Sequence, residues 1–223
     1  LLNYADNLDS VFTLAHEMGH AMHTYYSNEH QSITYAGYLI FVAEVASTCN
    51  ESLLMHYMLE HCEDENERKY LMTHFLDGFR TTLFRQAQFE HIAHRKMQKG
   101  EPVTKDVLNE LWHELNVQYY GPDMRVDDEI SYEWMRIPHF YTPYYVYQYS
   151  TGYSAAVAFS KKILEEGKPA VDKYIGNFLC GGCSKNPIEL LKSAGVDMST
   201  PKPVDDALNV FEDYLKQFET ATK

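Results

Sequence analysis

Two histidines four residues apart, with a glutamate between them, constrain this chain more than any other stretch: His16-Glu17-Met18-Gly19-His20. The spacing has a shared purpose only on an α-helix. There, residues i and i+4 lie on one face about 6 Å apart along the axis, and two imidazoles can converge on one ion at about 2.0–2.1 Å. Glu17 is rotated by about 100° from His16, so it flanks such an ion without filling its coordination sphere. The surrounding residues have the helical period. Val11, Leu14, Ala15, Met18, Met22 and Tyr25 recur at three- and four-residue intervals, which predicts a helix from Leu8 to about Ser27 with that stripe buried. Asn7 and Asp9 are candidate caps. His23 shares a stripe with His16 and His20 but lies about 10.5 Å along the axis from His16, which favours packing or support over ligation.

The rest of the chain reads as helix after helix. Residues 28–37 are polar and broken by Gly37, a loop or a short strand. A second, strongly apolar helix is predicted from Tyr38 to about Glu60. Asp64 with Glu67 forms a capping box that opens a long helix to about Gln98, stopped by Gly100. Thr104 caps the next, which ends at Gly121-Pro122. Thr142-Pro143 reads as a cap followed by proline at the first helical position, opening a helix to about Glu166. Shorter helices are expected at 169–180, 187–194 and about 204–219, all within one mainly α domain. The Cys180-Gly181-Gly182-Cys183 stretch reads as a turn carrying two free thiols, and Glu90-His91 with His94 as the polar face of the long helix.

Composition excludes several function classes. The 223 residues can bury a sizeable core, and 45% apolar with 23% charged residues fits neither disorder nor a membrane protein. Nineteen Lys and Arg against 32 Asp and Glu give a net charge of −13, which argues against nucleic acid or an anionic membrane as partner. No apolar run approaches the roughly 20 residues that span a bilayer. Four unevenly spread cysteines suggest reduced thiols and a cytoplasmic location. The chain opens Leu1-Leu2-Asn3-Tyr4 without an initiator methionine, and it is expected to be the carboxy-terminal part of a longer protein.

A third ligand is needed beside His16 and His20. Glu44 is the candidate, because it sits inside Phe41-Val42-Ala43-Glu44-Val45-Ala46, where a bare carboxylate bears a desolvation cost unless paired or metal-bound. The alternative is a solvated polar face passing through Glu44 and Glu51. Glu51 could also orient a ligating histidine from behind.

His16 to His23, followed by Phe41 to Thr48, resembles the oligoendopeptidase F branch of the thimet-oligopeptidase-like zinc peptidases. In that family two histidines of one helix and a glutamate of the next hold the metal, the glutamate about 24 residues beyond the second histidine. Here His20 and Glu44 are 24 apart. The likeness continues through Ile137-Pro138-His139-Phe140-Tyr141, Tyr144 to Gly152, and Ala194-Gly195-Val196-Asp197. It implies a multi-helix zincin-like catalytic domain over residues 1–223, with at most a short strand or hairpin near residues 28–38. It further implies that an amino-terminal half, forming one wall of a substrate channel, is absent from this chain and is a partner of it.

Seven of the 22 residues from Tyr132 to Tyr153 are tyrosines. A buried aromatic layer accounts for some. Tyr144 and Tyr147 are three apart on the helix expected from Pro143, with His139 just before it, so these groups can offer donors to one place. In the resembled family a histidine and two tyrosines of this segment serve the substrate and transition state, a role that passes to His139, Tyr144 and Tyr147. The function so implied is a zinc metalloendopeptidase acting on short peptides, with His16, His20 and Glu44 as ligands and Glu17 as general base. The rival readings are a related metallocarboxypeptidase and a non-catalytic helical interaction domain with a residual metal site.

Overall fold

The computed structural model describes residues 2–221 and divides the chain into two compact units, Leu1–Leu76 with Thr151–Lys223, and Asp77–Ser150. A single domain was the sequence expectation. Both boundaries fall inside helices rather than in Gly- or Pro-rich linkers, so composition carries no mark of them. The expected mainly α class holds, and no strand occurs among the described residues.

The first unit begins with α1 (Leu8–His30) and α2 (Ile40–His61). Asn7 starts α1 by accepting a hydrogen bond from the Ser10 amide at 2.9 Å, which satisfies one of the unpaired donors at a helix start. Residues 28–38, where a short strand was admissible, are the end of α1 followed by turns. The stripe expected to be buried on α1 is on the outside. Leu14, Met18, Met22 and Tyr25 are all exposed, whereas Phe12, Gly19, His23 and Ser27 are buried. At 100° per residue the buried residues centre about 120° round the helix from the expected stripe, so the true inner face is not the most apolar one. The inner face wins because Gly19 brings the two backbones together. A Cβ there would stand 2.5 Å from Ser47 Cα and 2.7 Å from the Ala46 carbonyl oxygen.

The core of this unit is made by Val42, Val45, Ala46 and Cys49 of α2, Ala155, Ala156 and Phe159 of a helix reached late in the chain, and Phe178, Leu190 and Leu191. Small residues at 154–156 let that late helix pack closely. Gly182, at φ 52, lies against the Tyr35 carbonyl, and the Cys183 amide donates to that same oxygen at 2.8 Å. The cysteine turn at 180–183 is thus tied to the segment after α1. Cys180 and Cys183 are both free thiols.

Two expected helices are corrected where the chain enters and leaves the second unit. The helix expected over 64–98 is α3 (Glu65–Gly78) and α4 (Gln86–Gln98) joined by a π-helical stretch, Phe79–Arg85. Asp64 caps α3, accepting from the amides of Asn66 and Glu67. Helix α5 (Lys105–Tyr120) starts at its Thr104 cap and stops at Gly121, as its signals predicted. Its Trp112 packs edge-on against Phe89 at 5.0 Å, with Phe140 beside both, which forms the core of this unit. Two 3-10 turns, Asp128–Arg136 and Pro138–Tyr141, lead to α6 (Tyr147–Glu166).

The other correction is where α6 begins. The Thr142-Pro143 signal predicted a start four residues earlier. Instead Tyr144 adopts φ 56, a left-handed conformation that ends right-handed winding and costs a tyrosine about 1–2 kcal/mol. The chain then finishes in the first unit with α7 (Lys168–Lys173), a π-helical stretch (Tyr174–Leu179), α8 (Pro187–Ala194) and α9 (Lys202–Ala221). The helix expected at 169–180 is therefore two kinds of winding. No helix among the described residues is long and apolar enough to cross a membrane.

Candidate metal centre

The packing of α1 on α2 brings His16, His20 and Glu44 together, and each is half-buried. His16 Nε2 lies 3.2 Å from His20 Nε2, 3.3 Å from Glu44 Oε2, and His20 Nε2 lies 3.4 Å from the same oxygen. The three atoms form a nearly equilateral triangle. Tetrahedral ligands at about 2.0–2.1 Å from an ion stand about 3.3–3.4 Å apart, so the donor set fits zinc in size as well as in type. Two ring nitrogens and a carboxylate oxygen converge on one point. A cation resolves that crowding of lone pairs.

Glu51 acts from behind. Its Oε1 accepts from His16 Nδ1 at 2.8 Å, which leaves Nε2 to face the triangle. Ser47 Oγ donates to Glu44 Oε2 at 3.1 Å and orients the carboxylate. The electrostatics follow from this crowding. Desolvation is the largest influence on His16 and lowers its pKa, but hydrogen bonds and charge from Glu44 and Glu51 outweigh it and raise the value to about 10. Hydrogen bonds from His16 and His20 hold the Glu44 carboxyl well below the usual carboxylate range. A histidine must be neutral to ligate a cation, so metal binding at such a site competes with protons. Glu51→Ala is expected to weaken zinc affinity by about 10–100-fold, measured by competition with a chromophoric chelator, while the fold stays intact. Unchanged affinity would remove Glu51 from the site.

Glu17 is exposed on α1, one residue beyond His16. His23 is fully buried, stacked on Tyr38 at 3.8 Å with Phe178 nearby, and neither ring nitrogen has a partner among the described residues. It is a packing residue in this arrangement and not one of the converging groups. Burial, helped by the charge of His20, lowers its pKa to about 4. The folded value lies below the unfolded one, so the unfolded chain takes up the proton first, and stability present above pH 6.5 is lost as the pH falls toward 4. Between pH 7 and 5, this linkage amounts to about 2 kcal/mol. Urea unfolding of His23→Phe should show a smaller loss over that interval than the parent; equal losses would refute the assignment.

His139, Tyr144 and Tyr147 lie in the second unit. Tyr144 and Tyr147 are exposed, and they do not share a helix as expected, because α6 starts at Tyr147. Tyr144 stacks on His94 at 4.3 Å. The His139 ring stacks on Tyr145 and meets Tyr149 edge-on. Glu90, expected on a polar face, is buried, and its carboxylate accepts hydrogen bonds from the amides of Tyr145, Val146 and Tyr147 at 3.0, 3.3 and 3.0 Å. Sequence reading missed it. The one available signal was the lack of any Ser, Thr, Asp or Asn at 143–146 to cap a 20-residue helix.

Comparison with known proteins places the sequence and the fold. The model of peptidase family M3 matches residues 1–210. Oligopeptidase PepF of Bacillus subtilis is 54% identical over 222 residues, covering 98% of this chain and 33% of that protein. An oligoendopeptidase F homolog of Lactococcus lactis subsp. lactis is 43% identical over 222 residues, covering 98% of this chain and 37% of that protein. The crystal structure of oligoendopeptidase-F from Enterococcus faecium superposes with a TM-score of 0.79 at 44% identity, over 96% of this chain and 39% of that one. The chain thus spans 33–37% of the length of these curated relatives.

Proposed function

The chain belongs to peptidase family M3, and on that premise we propose that it carries the catalytic centre of a zinc metalloendopeptidase that cleaves short oligopeptides. The observation that carries the proposal is the triangle of His16 Nε2, His20 Nε2 and Glu44 Oε2, sized for a tetrahedral ion. Zinc, when bound there, supplies Lewis acidity toward a water and the scissile carbonyl. Glu17 takes the proton of the attacking water and returns it to the leaving amine. Its place beside His16, exposed on α1, supports that role. Tyr144, Tyr147 and His139 are proposed as donors to the oxyanion of the tetrahedral intermediate, since phenol and imidazole N–H groups stabilise developing charge there.

The names of the relatives, an oligopeptidase and an oligoendopeptidase F homolog, support short peptides as the substrate class. The remaining length of those relatives, and the exposed apolar face of α1, support a further part of the same polypeptide as partner. The four free thiols support a reducing, cytoplasmic setting.

The test is cleavage of an internally quenched oligopeptide by a polypeptide of full family length that carries this chain. Chelation should abolish cleavage, zinc should restore it, and mass spectrometry should find an internal cut. Release of single carboxy-terminal residues would replace this reading with a metallocarboxypeptidase. A zinc-loaded protein that cleaves nothing would reduce the chain to a helical binding domain.

A further inference from the structure

We infer that Glu90 is a positioning residue for the turn that bears Tyr144 and Tyr147. The inference rests on the roles proposed above for those tyrosines. The first amides of a helix lack partners within it, and a nearby Ser, Thr, Asp or Asn side chain usually supplies one. The residues before α6 are Pro143-Tyr144-Tyr145-Val146, which have no such oxygen to offer. The acceptor comes instead from α4, 55 residues earlier along the chain. Glu90 is 6% exposed, and its two oxygens accept from three amides: Oε1 from Val146 and from Tyr145, which also reaches the Thr142 carbonyl at 3.3 Å, and Oε2 from Tyr147.

One helical turn further along α4, His94 lies flat against the Tyr144 ring at 4.3 Å and 11°. The two contacts, four residues apart, are on one face of α4. Together they grip the turn by its backbone and by its ring. Tyr144 is the one residue other than glycine with positive φ among those described. A tyrosine leaves that conformation readily unless its surroundings hold it there. The clasp therefore does more than begin a helix. It holds an unfavourable backbone geometry at Tyr144 that sets the directions of the exposed phenols of Tyr144 and Tyr147.

The clasp and the chemistry are tested separately. In this chain, amide hydrogen exchange is measured by NMR for the parent, Glu90→Gln and Glu90→Ala. The Ala variant should exchange the amides of Val146 and Tyr147 at least about tenfold faster, with those of residues 155–159 unchanged. Gln keeps the shape but offers one acceptor oxygen in place of two, so at least one of the three amides should quicken. If Glu90→Ala does not fold, Glu90→Gln decides alone. Parent-like exchange at all three amides overturns the inference.

In a polypeptide of full family length, Glu90→Gln should lower kcat by about tenfold with KM within about threefold and with zinc content unchanged. A fall accompanied by loss of zinc overturns the positioning role. Faster exchange with parental kcat keeps the clasp and removes Tyr144 and Tyr147 from the proposed chemistry.

Discussion

Glu17→Gln is expected to lower kcat/KM for oligopeptide cleavage on the order of 10²–10⁴-fold, with about one zinc still bound per chain. The size follows from the chemistry. A carboxamide matches the carboxylate in shape but cannot accept the water proton, so the loss falls on the chemical step. The structure makes the variant a clean probe. Glu17 is exposed, and two of the three converging ligands are held by other contacts, namely Glu51 on His16 and Ser47 on Glu44. Thermal unfolding should match the parent. Steady-state kinetics beside elemental analysis would decide the matter, and a Gln variant that cleaves at the parental rate would end the mechanism proposed here.

Gly19→Ala is expected to cost zinc affinity at least on the order of 10²-fold and stability about 1–3 kcal/mol. The added methyl would meet Ser47 Cα at 2.5 Å, the Ala46 carbonyl oxygen at 2.7 Å and Ser47 N at 2.8 Å. These are backbone atoms of α2 and cannot swing aside as a flexible side chain would. The helices must part, and the loss of register falls where they meet at the site. His16 and His20 are on one helix and Glu44 on the other, so a separation of about 0.5–1 Å is enough to open a triangle whose edges are 3.2–3.4 Å. Competition titration of zinc and urea unfolding check the two halves of this expectation. Parental values in both would show that α1 and α2 adjust at no cost, and that Gly19 has no part in assembling the site.

Much of the fold was legible because the signals are local. Asn7 and Thr104 cap the helices their positions announced, and Gly100 and Gly121 take positive φ where helices end. Each depends on residues three or four apart, which the chain order itself places in contact. The exceptions share a cause. Thr142-Pro143 is a good start signal, yet α6 starts at Tyr147, because Glu90, far off in the sequence, accepts from the amides of Val146 and Tyr147 and shares that of Tyr145 with the Thr142 carbonyl. The Glu90 and His94 pair looked like a solvated face because nothing in the local pattern distinguishes a buried carboxylate with three donors from an exposed one.

The sequence by itself determined the helical class, and it determined that His16 and His20 share a face with Glu17 beside them, since four residues of α-helix allow no other relation. It named Glu44 through spacing and apolar surroundings, but left Glu51 between a solvated face and a supporting one. The tertiary structure alone decided that the apolar stripe of α1 faces outward, that Gly19 sets the helix separation, that Glu51 holds His16, and that Glu90 clasps the tyrosine turn. Local pattern ranks helix faces by hydrophobicity. Burial within this chain is settled by which backbones can approach: Gly19 lets α1 meet α2 where a methyl group would stand 2.5 Å from a backbone atom, and the large apolar side chains of α1 are left on other faces.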